Sequence, residues 1–213
     1  MFNKTEIEQQ VAEFLLQIKA IKLKPDDPFT WASGWRSPIY CDNRVTLSYP
    51  SIRTYIRQQL SLIIQEEFGS VGCIAGVATA GIPQGVLVAQ ELGLPFVYVR
   101  SKPKEHGTGS MIEGEVMPGA RVVVIEDLIS TGKSSLQAVE ALRNAGHEVA
   151  GLAAIFSYGF DVADDNFKKA KCRYVTLSNY TALLKFAEEK QYINPSSIEL
   201  LQQWRANPSE WGR

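Results

Sequence analysis

Cysteine is scarce in this chain and poorly placed for cross-linking. Cys41, Cys73 and Cys172 lie far apart and form no C-x-x-C pair, which argues against a disulfide framework or a zinc site and for a reducing compartment. Charge of one sign is lacking too. With 22 basic and 23 acidic residues the net charge is -1, so no global field favours nucleic acid or a membrane surface as the main partner. No apolar run is long enough to span a bilayer, and the opening Met1-Phe-Asn-Lys-Thr lacks the apolar core of a signal peptide. A cytoplasmic protein with no membrane and no nucleic-acid partner is expected. Internal repeats and low-complexity linkers are also missing. What remains is 213 residues, 45% of them hydrophobic, enough for one sizeable core.

The apolar residues alternate between two periods. Short runs at 73–77, 96–99, 122–125, 149–156 and 174–177 read as strands, and helical patterns at 83–92, 136–145 and 164–170 fall between them, with Gly93 and Gly146 as stops. This alternation predicts an α/β fold with a parallel sheet and helices on both faces. Upstream, Thr5-Glu-Ile-Glu8 has capping-box spacing, and Ile7, Val11, Phe14, Leu15 and Ile18 share one helical face. Residues 29–44 are dense in aromatics, Gly, Pro and Arg and predict a hairpin turning near Ser33-Gly34, a small N-terminal hood over a site. A second helix is expected from Ser48-Tyr-Pro-Ser51 to Gly69, and two more at 180–189 and 195–205. The expected organisation is an N-terminal helix and hood (1–48), an α/β core (49–178) and C-terminal helices packing on that core (179–213).

The chemistry concentrates in Arg121-Val-Val-Val-Ile-Glu-Asp-Leu-Ile-Ser-Thr-Gly-Lys-Ser-Ser135. A strand, a tight polar turn and a helix put backbone N–H groups at a helix N-terminus beside two carboxylates, which suits a phosphorylated sugar. Gly132-Lys133-Ser134 resembles the end of a P-loop, but that pattern needs glycine where Asp127 stands. Two further stretches should reach the same sheet edge. Thr79, Ala80 and Gly81 would let a backbone approach the ligand closely. The long polar segment 101–114, preceded by Arg100 and carrying Lys102, Lys104 and His106, reads as a lid that closes over an anion.

Four apolar residues, two acids, two apolar residues and Ser-Thr-Gly-x-Ser resemble the phosphoribosyl-pyrophosphate (PRPP) signature of type I phosphoribosyltransferases. Within that family, Tyr98-Val-Arg-Ser-Lys-Pro-Lys-Glu-His-Gly107 is similar to the lid of the orotate phosphoribosyltransferases, with Arg100, Lys104 and His106 in register. Phe29-Thr-x-x-Ser-Gly-x-x-Ser-Pro38 with Tyr40-Cys41 resembles their orotate-binding segment. The resemblance implies a type I phosphoribosyltransferase-like fold. It further implies transfer of the phosphoribosyl group of PRPP to orotate, giving orotidine 5'-monophosphate and pyrophosphate in pyrimidine synthesis. Mg²⁺ bound mainly through PRPP and water, with no direct protein ligand, and a homodimer sharing lids across its interface are implied as well.

The same resemblance assigns roles. Lys104, His106 and Asp127 are the catalytic candidates. PRPP is expected to meet Arg100, Lys102, Lys104, His106, Glu126, Asp127, Leu128, Ile129, Ser130, Thr131, Gly132, Lys133 and Ser134, with Thr79, Ala80 and Gly81 as the pyrophosphate loop. Orotate is expected against Ser130, Tyr40, Cys41 and Arg36. The chain departs from the family pattern at Ser101, at Ala32 where a lysine is common, and at Ser157-Tyr-Gly-Phe160, which replaces an Asp-Arg pair. Arg36 and Arg44 are the nearest substitutes for carboxylate recognition. Lys133 at a helix N-terminus is locally unfavourable unless an anion is near. The alternatives are a purine phosphoribosyltransferase, which the Lys104-x-His106 lid argues against, and a non-catalytic PRPP-binding regulator, which the near-neutral charge disfavours.

Overall fold

The β-branched runs pair as the alternation predicts. A computed structural model describes residues 3–31, 34–102 and 110–211. Five strands, β5 (Cys73–Val77), β6 (Phe96–Val99), β8 (Arg121–Ile129), β9 (Glu148–Ser157) and β10 (Tyr174–Asn179), form a parallel sheet. The short β7 (Ile112–Glu113) joins β6 antiparallel at one edge, giving the order β10-β9-β8-β5-β6-β7. From β5 the chain moves first to β6 on one side and then to β8 on the other. That reversal opens a crevice beyond the carboxyl ends of β5 and β8, where ligands bind in open α/β sheets.

The two sheet faces bury different residues of the same strands. Ile74, Val123, Ile125, Ala153, Ile155 and Leu177 face α1 (Lys4–Gln17), α2 (Pro50–Phe68), α3 (Gly81–Leu92), α6 (Tyr180–Glu189) and α7 (Ile198–Ala206). Cys73, Ala75, Val122, Val124, Leu152 and Ala154 face α4 (Lys133–Asn144) and α5 (Asp161–Lys169). Near-continuous apolar strands are what a sheet covered on both sides requires.

The N-terminal segment adds two small antiparallel pairs. β1 (Ile21–Leu23) pairs with β4 (Ile39–Cys41), and β2 (Phe29–Thr30) with β3 (Arg36–Ser37). The Gly34 N–H donates to the Trp31 carbonyl at 2.8 Å, closing the expected turn, whose Ser33 and Ala32 lie outside the described residues. Helix α7 fastens this hood to the core. Trp204, with no exposed surface, packs against Trp31, Tyr158, Phe160 and Tyr180 and donates its indole N–H to the Arg36 carbonyl.

Several boundaries differ from expectation, among them the starts of α3 at Gly81 rather than 83 and of α5 at Asp161 rather than 164. Helix α1 is capped by Asn3, whose Oδ1 accepts the Glu6 N–H, so Thr5 lies inside the helix. Strand β8 continues through both acids to Ile129, because Glu126, Leu128 and Ile129 keep their parallel pairing with Ala154, Phe156 and Ser157. Helix α4 then starts at Lys133 rather than 136, leaving residues 130–132 as the whole turn.

Candidate active site at the carboxyl edge of the sheet

Two chain segments meet where β5 and β8 end. After β5, Ala78 and Ala80 are half-buried and Thr79 is exposed, with a cis peptide between Ala78 and Thr79. Gly81 is buried, and a Cβ there would sit 2.4 Å from the Ile125 carbonyl oxygen. Its missing side chain therefore serves the approach of α3 to β8, a use of glycine that the sequence does not separate from the expected approach to a ligand.

The acids differ in accessibility. Glu126 is 5% exposed, and both its oxygens are engaged, Oε1 by the Asp127 N–H at 3.1 Å and Oε2 by the Ser135 hydroxyl at 3.2 Å. Burial, then the neighbouring Asp127 charge, pushes its carboxyl well above the usual carboxylate range. Asp127 is half-buried, and burial raises its pKa too, against the lowering pull of its hydrogen bonds and of Arg44. Of the pair, Asp127 is the carboxylate a ligand can reach.

Beyond the strand, Leu128, Ser130 and Thr131 are half-buried, Ile129 and Gly132 are buried, and Lys133 and Ser134 are exposed. Gly132 has φ +75°, and a Cβ there would approach the Phe167 ring to 2.7 Å, so this turn needs glycine on two counts. No side chain caps α4, and the N–H groups of residues 131–134 have no protein acceptor among the described residues. Unsatisfied donors plus the helix dipole make an anion site. Ser135, one residue further, holds Glu126 instead.

The hood approaches the same edge. Tyr40 is 39% exposed and Cys41 half-buried, its thiol donating to Asn43 Oδ1 at 3.3 Å. Burial, then Asp127, pushes the Cys41 thiol up, so it is no nucleophile. Arg36 is exposed on β3. Arg44 forks onto Asp42 at 2.6 and 2.9 Å, which occupies the second candidate cation. A cavity of about 260 Å³ lies between hood and sheet, lined by Thr30, Trp31, Tyr40, Cys41, Leu128, Ser130 and Tyr158. A larger groove, about 870 Å³, starts at Thr131 and Lys133 and follows α4 toward Arg143, away from the hood.

On the lid side, the Arg100 N–H donates to the Met111 carbonyl at 2.8 Å and its guanidinium lies 3.5 Å from Glu113. Lys102 is exposed, and Gln137 of α4 donates to the Ser101 carbonyl at 3.2 Å, tying the start of this segment to the phosphate turn. Lys104 and His106 lie outside the described residues.

Asn43 and Tyr158 were not among the expected site residues. Asn43 is wholly buried, and its amide donates to the Asp127 carbonyl at 2.7 Å. Thr46 donates to the Asn43 carbonyl at 2.6 Å and accepts from Gln84 at 3.2 Å, so a polar strut runs from hood to acid. In the sequence Asn43 is one polar residue in a turn-rich run, and Tyr158 is visible only as a departure from a family pair.

A parallel sheet with an uncapped helix terminus and an accessible carboxylate at its switch point defines a protein that handles phosphorylated sugars. Residues 50–189 match the family model for the phosphoribosyl transferase domain. An orotate phosphoribosyltransferase of Phocaeicola vulgatus is 60% identical over 96% of this chain and 97% of the relative. The orotate phosphoribosyltransferase of Aeropyrum pernix superposes with a TM-score of 0.75 at 28% identity, covering 86% of this chain and 99% of that one. Leishmania donovani UMP synthase gives a TM-score of 0.78 at 26% identity over 93% of this chain and 42% of that one. The chain belongs to the orotate phosphoribosyltransferase family of type I phosphoribosyltransferases.

Proposed function

We propose that this protein transfers the phosphoribosyl group of PRPP to the ring nitrogen of orotate, releasing pyrophosphate. The observation that carries the reading is the meeting, at one sheet edge, of an uncapped helix terminus, the accessible Asp127 carboxylate and an aromatic cavity. In this reading the N–H groups and hydroxyls of residues 130–134 hold the 5-phosphate, helped by the dipole of α4 and by Lys133. Asp127 binds the ribose hydroxyls, and its charge stabilises the oxocarbenium-like cation as the C1–O bond lengthens. Glu126, already engaged on both oxygens, orients the Asp127 backbone and the start of α4. Residues 79–81 and Arg100, Lys102, Lys104 and His106 take the leaving pyrophosphate. Orotate lies in the 260 Å³ cavity against Ser130, Tyr40 and Cys41, with Arg36, exposed on β3, as the candidate cation for its carboxylate. Residues 1–48 act as the hood segment, 49–178 as the transferase core and 179–213 as the brace behind the hood.

Among the described residues no three His, Cys, Asp or Glu side chains converge on a metal position. The protein's oxygen donors at this edge are the Glu126–Asp127 pair, which fits a hard ion held mainly by substrate oxygens and water. Mg²⁺ there would neutralise the departing pyrophosphate. No helix among the described residues is long and apolar enough to cross a membrane, and the reading places the enzyme in the cytoplasm. A spectrophotometric assay with orotate, PRPP and Mg²⁺ tests it, since PRPP-dependent loss of orotate absorbance is expected and its absence defeats the assignment.

The lid is read as serving the neighbouring site of a homodimer, as its family resemblance implies. Mixing inactive Lys104→Ala chains with inactive Asp127→Ala chains is then expected to restore activity, because one site of each heterodimer keeps both groups. No recovery in a verified heterodimer would count against lid sharing.

A further inference from the structure

One polar group bordering the 260 Å³ cavity makes no hydrogen bond among the described residues. Tyr158 is 2% exposed, and among the described residues nothing donates to or accepts from its hydroxyl. The other two buried or half-buried tyrosines of this half of the chain contrast with it. Tyr180 donates to the Leu201 carbonyl at 3.0 Å, and Tyr174 donates to Asp164. The buried side-chain atoms left without a partner among the described residues are Arg57 Nε and Gln84 Oε1, so the Tyr158 hydroxyl is open to the cavity that its ring lines and is a donor free for a ligand.

The ring cannot turn away. It packs against Trp31 at 5.2 Å, Phe160 at 5.4 Å, Trp204 at 5.7 Å and Phe156 at 5.9 Å between centroids. Its backbone is held as well, the Tyr158 N–H donating to the Ile129 carbonyl at 3.1 Å where β8 ends. Tyr158 lines the cavity together with Tyr40, Cys41 and Ser130, and the charges of Cys41, Tyr180, Asp127 and Tyr40 all bear on its phenol. Burial pushes this phenol well above its ordinary range, so it stays protonated and acts as a donor.

We propose that the Tyr158 hydroxyl is a specificity-determining donor that hydrogen-bonds a ring carbonyl oxygen of the pyrimidine in this cavity. The inference rests on the orotate reading above and adds a residue and an atom to it. The lining supplies hydroxyls from Thr30, Tyr40 and Ser130 and the Cys41 thiol, and no described cation. Asp127 lies close by. A carboxylate driven into that lining would lose water, gain no cation and meet a like charge. A neutral carbonyl oxygen meets none of these costs, so the carbonyl side of the ring points inward and the orotate carboxylate outward, toward the mouth. Trp31 and Leu128 supply apolar surface for the ring.

Tyr158→Phe removes the hydroxyl and keeps the packed ring. The test is calorimetric binding of orotidine 5'-monophosphate, uridine 5'-monophosphate and ribose 5-phosphate to wild type and variant. The two nucleotides share the ring carbonyls and differ in the carboxylate, and the sugar phosphate reports the cradle alone. Both nucleotides are expected to weaken by a common factor of about three to tenfold, as for a lost neutral hydrogen bond, with ribose 5-phosphate unchanged. Unchanged nucleotide binding would overturn the proposal. So would weakening of orotidine 5'-monophosphate alone, which would assign the hydroxyl to the carboxylate, or equal weakening of all three ligands, which would mark a structural role. Failure of wild type to turn over orotate would sink the orotate reading itself. An active wild type beside an unaffected variant would sink only the role of Tyr158.

Discussion

In the proposed reading the phosphate turn and the hood bind by different means. The turn at residues 130–134 offers main-chain donors at the end of the nine-residue strand β8, and its shape is set by Gly132 and by packing on Phe167. The hood offers side chains from short two- and three-residue strands, brought to the cavity by Trp204 and by Asn43. Backbone recognition is local and tolerates sequence change as long as the turn keeps its conformation. Side-chain recognition depends on residues far apart in the chain, here Trp31, Tyr40, Leu128 and Tyr158. That contrast explains how one end of a substrate site can follow a short signature while the other departs from its family, as at Ala32 and at Ser157-Tyr-Gly-Phe160.

The sharpest way to test the division is at the acid between the two regions. Asp127→Asn keeps shape and removes charge, and is expected to lower kcat by about a hundred- to thousandfold, as for other preorganised electrostatic groups. Inorganic phosphate binding by calorimetry should hardly change, because the donors at the uncapped start of α4 are main chain. Loss of that binding would tie cradle and acid into one unit.

Next in size is the strut. Asn43→Ala leaves the Asp127 carbonyl without its donor and is expected to cost about 1–3 kcal/mol of stability by chemical denaturation. It should raise the KM for orotate more than that for PRPP, since it loosens the hood and not the turn. Equal rises in both would erase the contrast.

The smallest effect concerns Glu126. Burial holds its folded-state pKa above the unfolded value, so the unfolded chain gives up this proton first as pH rises. The stability linked to this group is therefore present below the ordinary carboxylate pKa and lost as pH climbs through the raised value. Glu126→Gln cannot ionise and keeps an acceptor for the Asp127 N–H. Its Tm relative to wild type should rise between about pH 4 and neutrality, starting near the unfolded glutamate pKa. A constant Tm difference across that range would show that Glu126 does not carry the linkage.

Much of the fold was legible because parallel strands covered on both faces are short and largely apolar, as 73–77, 96–99, 149–156 and 174–177 are. The phosphate turn was legible for a related reason, since a helix terminus that binds an anion needs small residues and glycine in consecutive positions. The end of β8 was misjudged because Glu126 and Asp127 look like turn residues. Pairing with β9 keeps them in the strand, and no local pattern encodes that neighbour. At Gly81 the sequence suggested ligand approach, and it carries no sign that the Ile125 carbonyl of another strand also requires glycine there.

By itself, then, the sequence determined the parallel α/β architecture, the glycine turn before α4 and the acids beside it, because each depends on residues within one or two turns of chain. Only the tertiary structure decided that Glu126 is occupied and Asp127 accessible, that Asn43 holds the acid's backbone, and that Tyr158 lines the cavity. Those outcomes depend on which distant surfaces exclude water from a given polar atom, and on whether a complementary group stands within hydrogen-bond reach, and neither is written in the spacing of a linear chain.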